Sequence, residues 1–314
     1  MSENKLIVKD DINFLEYPNW LLEDHEKLKE YIIEKENGFY RIKTGSDRLP
    51  TRFDKIVLYY LLQELYKTTK LNSTKISTTR YKVAKNIFYM TKHLSQSNYE
   101  RLMLALDRWT GIFIEFKGVF YKGDNYTTRF FHIIDGVKLD HKTNELYIAF
   151  NEQYIKQLRE TEFYKYINFN EYKKLTKPIS VRLYEILIKT FKSRDTWQID
   201  IINLAEKLTL SIKYPAHIFA KITPAVKEIT SKTDLKIKFK YDKESRICTF
   251  IKNEEVKPIN DSTKRTILKQ QAIDCYKKCY GNCGASWKES MEKQNCCYWC
   301  AKYDTLRKEQ CQEK

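Results

Sequence analysis

The feature that most constrains the fold of this sequence is an order of elements that occurs twice. In its first occurrence, apolar residues recur at helical spacing and predict three successive helices, over residues 54–68, 79–90 and 95–109. Ser95 is a favourable N-cap, and Gly111 stands where a helix C-terminus favours glycine. β-rich segments follow, with the turn residues Gly-Asp-Asn between the first two, over residues 112–122, 127–139 and 144–150.

The second occurrence has the same order. Helical spacing predicts three further helices, with a short strand (196–200) after the first, over residues 180–192, 201–210 and 215–233. Alternating apolar and polar residues over 235–252 predict a hairpin whose tip is Asp-Lys-Glu-Ser. Three helices followed by a two-stranded ribbon are typical of a winged helix-turn-helix. The sequence therefore predicts an α+β protein with two tandem winged helix-turn-helix domains and a small cysteine-rich C-terminal tail.

This interpretation divides the chain into four segments. Residues 1–36 carry 10 acids and 5 bases, which predicts an acidic N-terminal arm with one amphipathic helix in LLEDHEKLKEYIIEK, residues 21–35. The two winged-helix domains are expected over residues 37–150 and 151–257. The cysteine-rich tail then occupies residues 258–314.

The net charge of the chain favours a polyanionic partner. The whole chain has 57 bases and 41 acids, a net charge of +16. Without the first 36 residues, 52 bases stand against 31 acids, a surplus of +21. Neutralising nucleic-acid phosphates releases condensed counterions, so such a surplus favours DNA or RNA binding. A lysine-rich composition from an AT-rich genome is the alternative explanation of the charge.

The third helix of each domain has one apolar face and one polar face. In the second domain, Ile218, Ile222, Ala225 and Ile229 form the apolar stripe, so Glu228 and the basic residues are expected to point elsewhere. A recognition helix needs such an arrangement, because one face packs on the domain and the other reads base edges. A three-helix core with a solvated basic face is the alternative. The helical residues expected to contact DNA are Arg80, Lys82, Asn98, Arg101 and Arg108 in the first domain and Lys213, Tyr214, His217, Lys221 and Lys227 in the second.

The predicted hairpins carry further basic residues. In the second hairpin, alternation places three lysines on the face opposite Leu235, Ile237 and Phe239. A row of lysines along a ribbon suits contact with successive phosphates. The hairpin residues expected to contact DNA are Lys117, Lys122 and Arg129 in the first domain and Lys236, Lys238, Lys240 and Arg246 in the second.

Several linked segments resemble a known family. They are GSDRLPTRFDKIVLYYLLQEL, YERLMLALDRWTGIFIEF, SVRLYEILIKTFKSRDTWQIDIINLAEKL and IFAKITPAVKEITSKTDLKIKF, within residues 40–255. This pattern is similar to the replication initiator protein A family of bacterial plasmids. The resemblance implies two winged helices that bind repeated double-stranded sites at a replication origin, origin melting with host replication proteins, and self-repression through dimers in a monomer–dimer equilibrium. The tail after Lys257 and the acidic arm are not part of the resemblance.

Motifs for catalysis are missing from the sequence. It contains no G-x-x-x-x-G-K-[ST] loop for ATP and no His-x-His pair for the metal of a nicking endonuclease. We therefore expect no enzymatic activity. A transcriptional repressor without an origin-melting role, a nicking-type replication enzyme with an unrecognised site, and a scaffold that recruits a helicase through the arm are the alternatives. With no apolar run of membrane-spanning length, the expected location is the cytoplasm.

The tail carries six of the eight cysteines between residues 275 and 300. In a reducing cytoplasm such clusters more often hold metal than form disulfides. The spacing C-x3-C-x13-C-x2-C suits a tetrahedral structural zinc, with Cys279, Cys283, Cys297 and Cys300 as ligands. An iron–sulfur cluster and unliganded thiols are the alternatives. Substitute ligands are Cys275 and Cys296, whereas Cys248 and Cys311 are expected to take no part.

Overall fold

Residues 7–22 are part of the folded core. The computed structural model describes residues 7–22, 27–88, 94–191 and 194–252. This part begins with β1 (Ile7–Asp11), α1 (Ile12–Glu16), β2 (Glu30–Lys35) and β3 (Gly38–Thr44). Phe14, Leu15 and Trp20 are at most 1% exposed. The prediction of a separate acidic arm is therefore wrong, because burial of these large side chains ties the segment to the core.

The predicted amphipathic helix over residues 21–35 is also wrong. Residues 30–35 form β2, which pairs antiparallel with β3 through a turn at Glu36 and Asn37, where Lys35 faces Gly38. Ile33 is buried on the inner face of the sheet. Residues 30–35 form a strand despite their local helical pattern, because they pair with β3. Tertiary context often overrides local propensity in this way.

The first repeated unit follows the predicted order closely. Its elements are α2 (Arg52–Thr69), β4 (Lys75–Thr79), α3 (Arg80–Phe88) and α4 (Gln96–Thr110), then β5 (Ile112–Lys122), β6 (Asn125–Phe131), β7 (Ile134–Leu139) and β8 (Glu145–Phe150). Ser95 caps α4 as predicted, and Gly111 follows its last residue. The run 127–139, predicted as one strand, is two strands that belong to different sheets. The sheets have the orders β2-β3-β5-β6 and β4-β8-β7.

The second unit has the same topology. Three elements that the sequence analysis did not predict connect it to the first: α5 (Glu152–Glu160), β9 (Tyr164–Asn168) and α6 (Phe169–Lys174). Then come α7 (Pro178–Thr190), β10 (Thr196–Asp200), α8 (Ile201–Lys207), α9 (Pro215–Lys232), β11 (Ile237–Tyr241) and β12 (Ile247–Lys252). Their sheet has the order β10-β12-β11, which matches β4-β8-β7 strand for strand. We call α2, β4, α3, α4, β7 and β8 repeat 1, and α7, β10, α8, α9, β11 and β12 repeat 2.

The N-terminal segment contacts both repeats through buried polar groups. Asp10 Oδ2 lies 3.4 Å from Lys55 Nζ and accepts a 2.7 Å hydrogen bond from the Tyr59 hydroxyl, both on α2. On α7, the Arg182 guanidinium donates to the carbonyl oxygens of Leu15 at 3.0 Å and Glu16 at 2.8 Å. Because it contacts α2 of repeat 1 and α7 of repeat 2, this segment joins the two repeats, and β1 also pairs with β9 of the connection between them. The described residues all fall within one compact body.

Candidate nucleic-acid interface

Helix α9 presents the clearest candidate surface. Its apolar stripe is buried as predicted, with Ile218, Ile222, Ala225 and Ile229 all 0% exposed. On the outside, Tyr214 is 70% exposed and its ring meets the His217 ring at 5.7 Å. Helical spacing places Lys221 on the same outer face. All five residues predicted to contact DNA from this region are exposed: Lys213, Tyr214, His217, Lys221 and Lys227.

An aromatic stack fixes the hairpin of repeat 2 against α9. The ring of Phe219 on α9 stacks on Tyr241 at 5.1 Å and on Phe239 at 5.9 Å, both on β11. Phe239 stacks on Phe250 of β12 at 4.8 Å, and Phe250 stacks on Trp197 of β10 at 5.4 Å. Such stacked pairs hold the helix and the sheet in a fixed relation. The lysines of β11 therefore have a defined position beside the helix.

Contrary to the prediction, two polar residues of repeat 2, Lys236 and Glu228, do not point to solvent. Lys236 precedes β11 and donates to the carbonyl oxygens of Thr230 at 3.0 Å and Thr233 at 3.3 Å. An ammonium at a helix C-terminus satisfies carbonyls that lack helical partners, so Lys236 stabilises the end of α9. Glu228 is only 8% exposed and accepts from the backbone N–H groups of Thr176 and Lys177 at the start of α7. Lys238, Lys240 and Arg246 remain exposed as predicted.

In repeat 1, Arg108 is the largest departure from the prediction. It is 4% exposed, and its Nη1 lies 3.2 Å from Asp54 Oδ1, while its Nε lies 2.9 Å from Asp47 Oδ1. Asp54 is fully buried at the first turn of α2 and also accepts from the Thr51 backbone N–H at 2.7 Å. A guanidinium paired with a buried carboxylate is part of the core. The expected outward orientation of Arg108 is wrong.

The other predicted residues of α3 and α4 lie at or near the surface. Arg101 is exposed, with its guanidinium 4.0 Å from the Phe53 ring centre. Asn98 is half-buried and its Oδ1 accepts from the Ser95 backbone N–H at 2.9 Å, so it serves the cap of α4. Arg80 is half-buried and donates to Asn144 Oδ1 at 3.0 Å, in the turn between β7 and β8. Lys82 is exposed and pairs with Glu64 at 2.7 Å.

The first predicted wing belongs to a different sheet. Lys117, Lys122 and Arg129 are exposed, but they lie on β5 and β6, which pair with each other in the sheet where β5 also pairs with β3. The hairpin that pairs with β4, as β11–β12 pairs with β10, is β7–β8. Its exposed basic residues, which the sequence analysis missed, are Lys138, His141 and Lys142. The sequence signal for this hairpin was the strand KISTT between the first two helices of repeat 1. Its counterpart in repeat 2, the strand TWQID, was predicted correctly.

Comparison with known proteins decides the family. Residues 9–235 match the sequence model of the family described as Replication initiator protein A. That match covers well over half of the 314 residues. The chain belongs to this family. No curated protein sequence matches it.

Two solved structures share the fold of this Replication initiator protein A member. Domains 2 and 3 of RctB align with a TM-score of 0.52 and 11% identity, covering 78% of this chain and 98% of that one. The Pi initiator protein, solved in complex with iteron DNA, aligns with a TM-score of 0.51 and 14% identity, covering 81% and 99%. At these identities the comparison shows a common mixed α/β fold.

The predicted zinc ligands lie outside the described residues. Of the eight cysteines, Cys248 on β12 is described; it is buried and free, and burial, with the nearby Asp200, raises the pKa of its thiol to about 12. Within residues 7–252, apart from the gaps named above, no group of His, Cys, Asp and Glu side chains is arranged to hold a metal ion. The same residues contain no helix that is long and apolar enough to cross a membrane.

Proposed function

We propose that this protein is a plasmid replication initiator that binds repeated double-stranded sites at its origin. Membership of the Replication initiator protein A family supports this proposal. In it, repeats 1 and 2 act as two winged helix-turn-helix modules, with α4 and α9 in the major groove. The hairpins β7–β8 and β11–β12 then follow the phosphate backbone.

The observation that carries the proposal is the repeated topology, in which the third helix of each copy presents at least one exposed basic side chain. Each hairpin lies beside the third helix of its own repeat, with β7 against α4 and β11 against α9. Arg101 on α4 and the stripe of Tyr214, His217 and Lys221 at α9 supply exposed donors and an aromatic ring. Lys138 and Lys142 in one hairpin and Lys238 and Lys240 in the other supply cations for phosphates.

The remaining parts of the proposal concern partners and chemistry. Bound to the repeats, the protein recruits host replication proteins and assists origin melting, in the cytoplasm and with no catalytic step of its own. A monomer–dimer equilibrium sets the form that binds. Structural zinc in the tail, on Cys279, Cys283, Cys297 and Cys300, extends the interface to DNA or to a protein partner.

Fluorescence anisotropy with a labelled duplex of the direct repeats beside the gene tests this function. If six to ten phosphates are neutralised, affinity should fall about 10³–10⁵-fold between 50 and 200 mM salt. A scrambled duplex of the same length serves as the control and should bind more weakly. Equal affinity for both duplexes would contradict the proposal, and relaxation of supercoiled origin DNA with Mg²⁺ would instead show a nicking enzyme.

A further inference from the structure

The third helices of the two repeats match residue for residue along their buried faces. The buried residues, each at most 6% exposed, are Leu102, Ala105, Leu106 and Trp109 on α4 and, in the same order and spacing, Ile222, Ala225, Val226 and Ile229 on α9. Because the buried faces match, residues on the two outer faces can also be paired. Leu104 of α4 is equivalent in this way to Pro224 of α9.

Leu104 is an exposed apolar side chain on the outer face of α4. It is 50% exposed and lies one helical turn after Arg101, on the same side of the helix. The other exposed residues of α4 are all polar: Gln96, Ser97, Glu100, Arg101 and Asp107. A single exposed leucine is common on protein surfaces, so exposure alone does not assign a role to it. Its equivalent in repeat 2 supplies the second observation.

Pro224 lies in the interior of α9, where proline is unfavourable. The helix extends from Pro215 to Lys232, and Pro224 is well inside both ends. Because proline has no backbone N–H, the carbonyl oxygen of Ala220 lacks its usual helical donor. Almost any other residue would favour the helix more. Helix stability therefore does not account for Pro224, whose half-buried ring is placed by helical spacing on the outer face of α9.

Both outer faces thus carry an apolar group at the same position, among polar residues that suit base edges. In the major groove the C5-methyl group of thymine is the apolar group that a side chain can contact, and apolar side chains recognise it. The neighbours of Leu104 suit other bases, since Arg101 can donate to guanine and Glu100 can accept from the amino group of cytosine. An apolar side chain gains nothing from a phosphate, so Leu104 and Pro224 fit the floor of the groove and not its rim.

We propose that Leu104 and Pro224 are specificity-determining residues, each of which contacts the C5-methyl group of one thymine in every direct repeat of the origin. This inference rests on the proposed function, since it requires α4 and α9 to lie in the major groove. It adds the chemistry of two positions in the DNA site: each is a thymine, and the two thymines are read by different repeats of the protein.

Fluorescence anisotropy of the full chain with modified duplexes tests the inference. Each thymine of the direct repeat is replaced in turn by 2′-deoxyuridine, which lacks only the C5-methyl group. At two positions the wild type should bind about fourfold more weakly, since burying one methyl-sized group contributes about 0.8 kcal/mol. Leu104→Ala should lose this penalty at one of the two positions, and Pro224→Ala should lose it at the other. Ile32→Ala is the control, an apolar residue 45% exposed on β2 and outside both repeats, and should keep both penalties.

Urea unfolding separates contact from structure in these variants. Pro224→Ala should raise the urea midpoint, because α9 regains a backbone hydrogen bond, and should weaken binding to the unmodified repeat duplex all the same. A variant that keeps both penalties would overturn the assignment of its own residue and would leave that side chain to a protein contact. A wild type that prefers the repeat duplex to a scrambled one but shows no penalty at any thymine would overturn this inference alone. Equal binding to the repeat and scrambled duplexes would contradict the proposed function itself.

Discussion

Replacing Arg108 by alanine distinguishes this residue, which stabilises the fold, from Arg101 on the same helix, which we propose contacts DNA. Arg108 and Arg101 occupy the same helix, and both were candidates for DNA contact. The guanidinium of Arg108 is buried against Asp54, whereas that of Arg101 lies over the Phe53 ring at the surface. We expect Arg108→Ala to destabilise the fold and Arg101→Ala to weaken DNA binding.

The magnitude follows from the groups that Arg108→Ala leaves behind. Removing one partner of a buried ion pair costs about 3–5 kcal/mol, because the other charge stays buried. Asp54 is 0% exposed but keeps its hydrogen bonds from the Thr51 backbone N–H at 2.7 Å and hydroxyl at 3.0 Å. Asp47 is half-exposed, so its pair with Arg108 adds at most about 1 kcal/mol. The loss should therefore be about 3 kcal/mol.

Urea unfolding followed by circular dichroism measures this loss, and anisotropy measures the affinity for the repeat duplex. Arg101→Ala should change the free energy of unfolding by less than about 1 kcal/mol, the value of an exposed cation–π contact. Arg108→Ala, measured at a temperature where it is folded, should retain the wild-type salt slope. An Arg108→Ala variant as stable as the wild type but deficient in DNA binding would refute the assignment of this residue to the core.

Three further outcomes are expected. Glu228 has a pKa lowered to about 2, because hydrogen bonds from Lys232 and from the start of α7 outweigh burial. The unfolding free energy should therefore fall as the pH drops from about 4.5 to 2, by about 3 kcal/mol, and Glu228→Gln should lose that part at neutral pH in urea unfolding. Lys238→Ala should weaken binding to every duplex and reduce the salt slope by about one, whereas Lys236→Ala should lower stability and leave the slope unchanged. Metal analysis should find one zinc per chain, lost in Cys297→Ser; a metal-free wild type would contradict that prediction.

Local sequence signals predicted the helices of both repeats well. The cap at Ser95 and the buried stripe of α9 depend on residues a few positions apart, so the sequence contains all the information they need. The same holds for the hairpin of repeat 2, where strands alternate around a short turn. Most of the exposed candidates on α9 followed from that periodicity.

Long-range partners account for what the sequence did not reveal. Arg108 lies next to the apolar stripe of α4. Its burial depends on the ion pair with Asp54 on α2, a residue distant in sequence. Which sheet a hairpin joins is equally non-local. The hairpin β5–β6 was therefore taken for the wing, although it joins β3, and β7–β8 is the hairpin that pairs with β4. Residues 30–35 have a helical pattern of their own, but β3 provides hydrogen-bond partners that a helix would not use.

The central claim is that repeat 1 and repeat 2 of the protein both bind DNA. Hydroxyl-radical footprinting on a duplex that carries the direct repeats of the origin tests it most directly. The wild type, Arg101→Ala and His217→Ala should be compared at equal saturation. If α4 and α9 each enter a major groove, the wild type protects two segments in each direct repeat, and each variant loses protection in a different one. Loss of the same segment in both variants, or protection of a single segment by the wild type, would contradict the account.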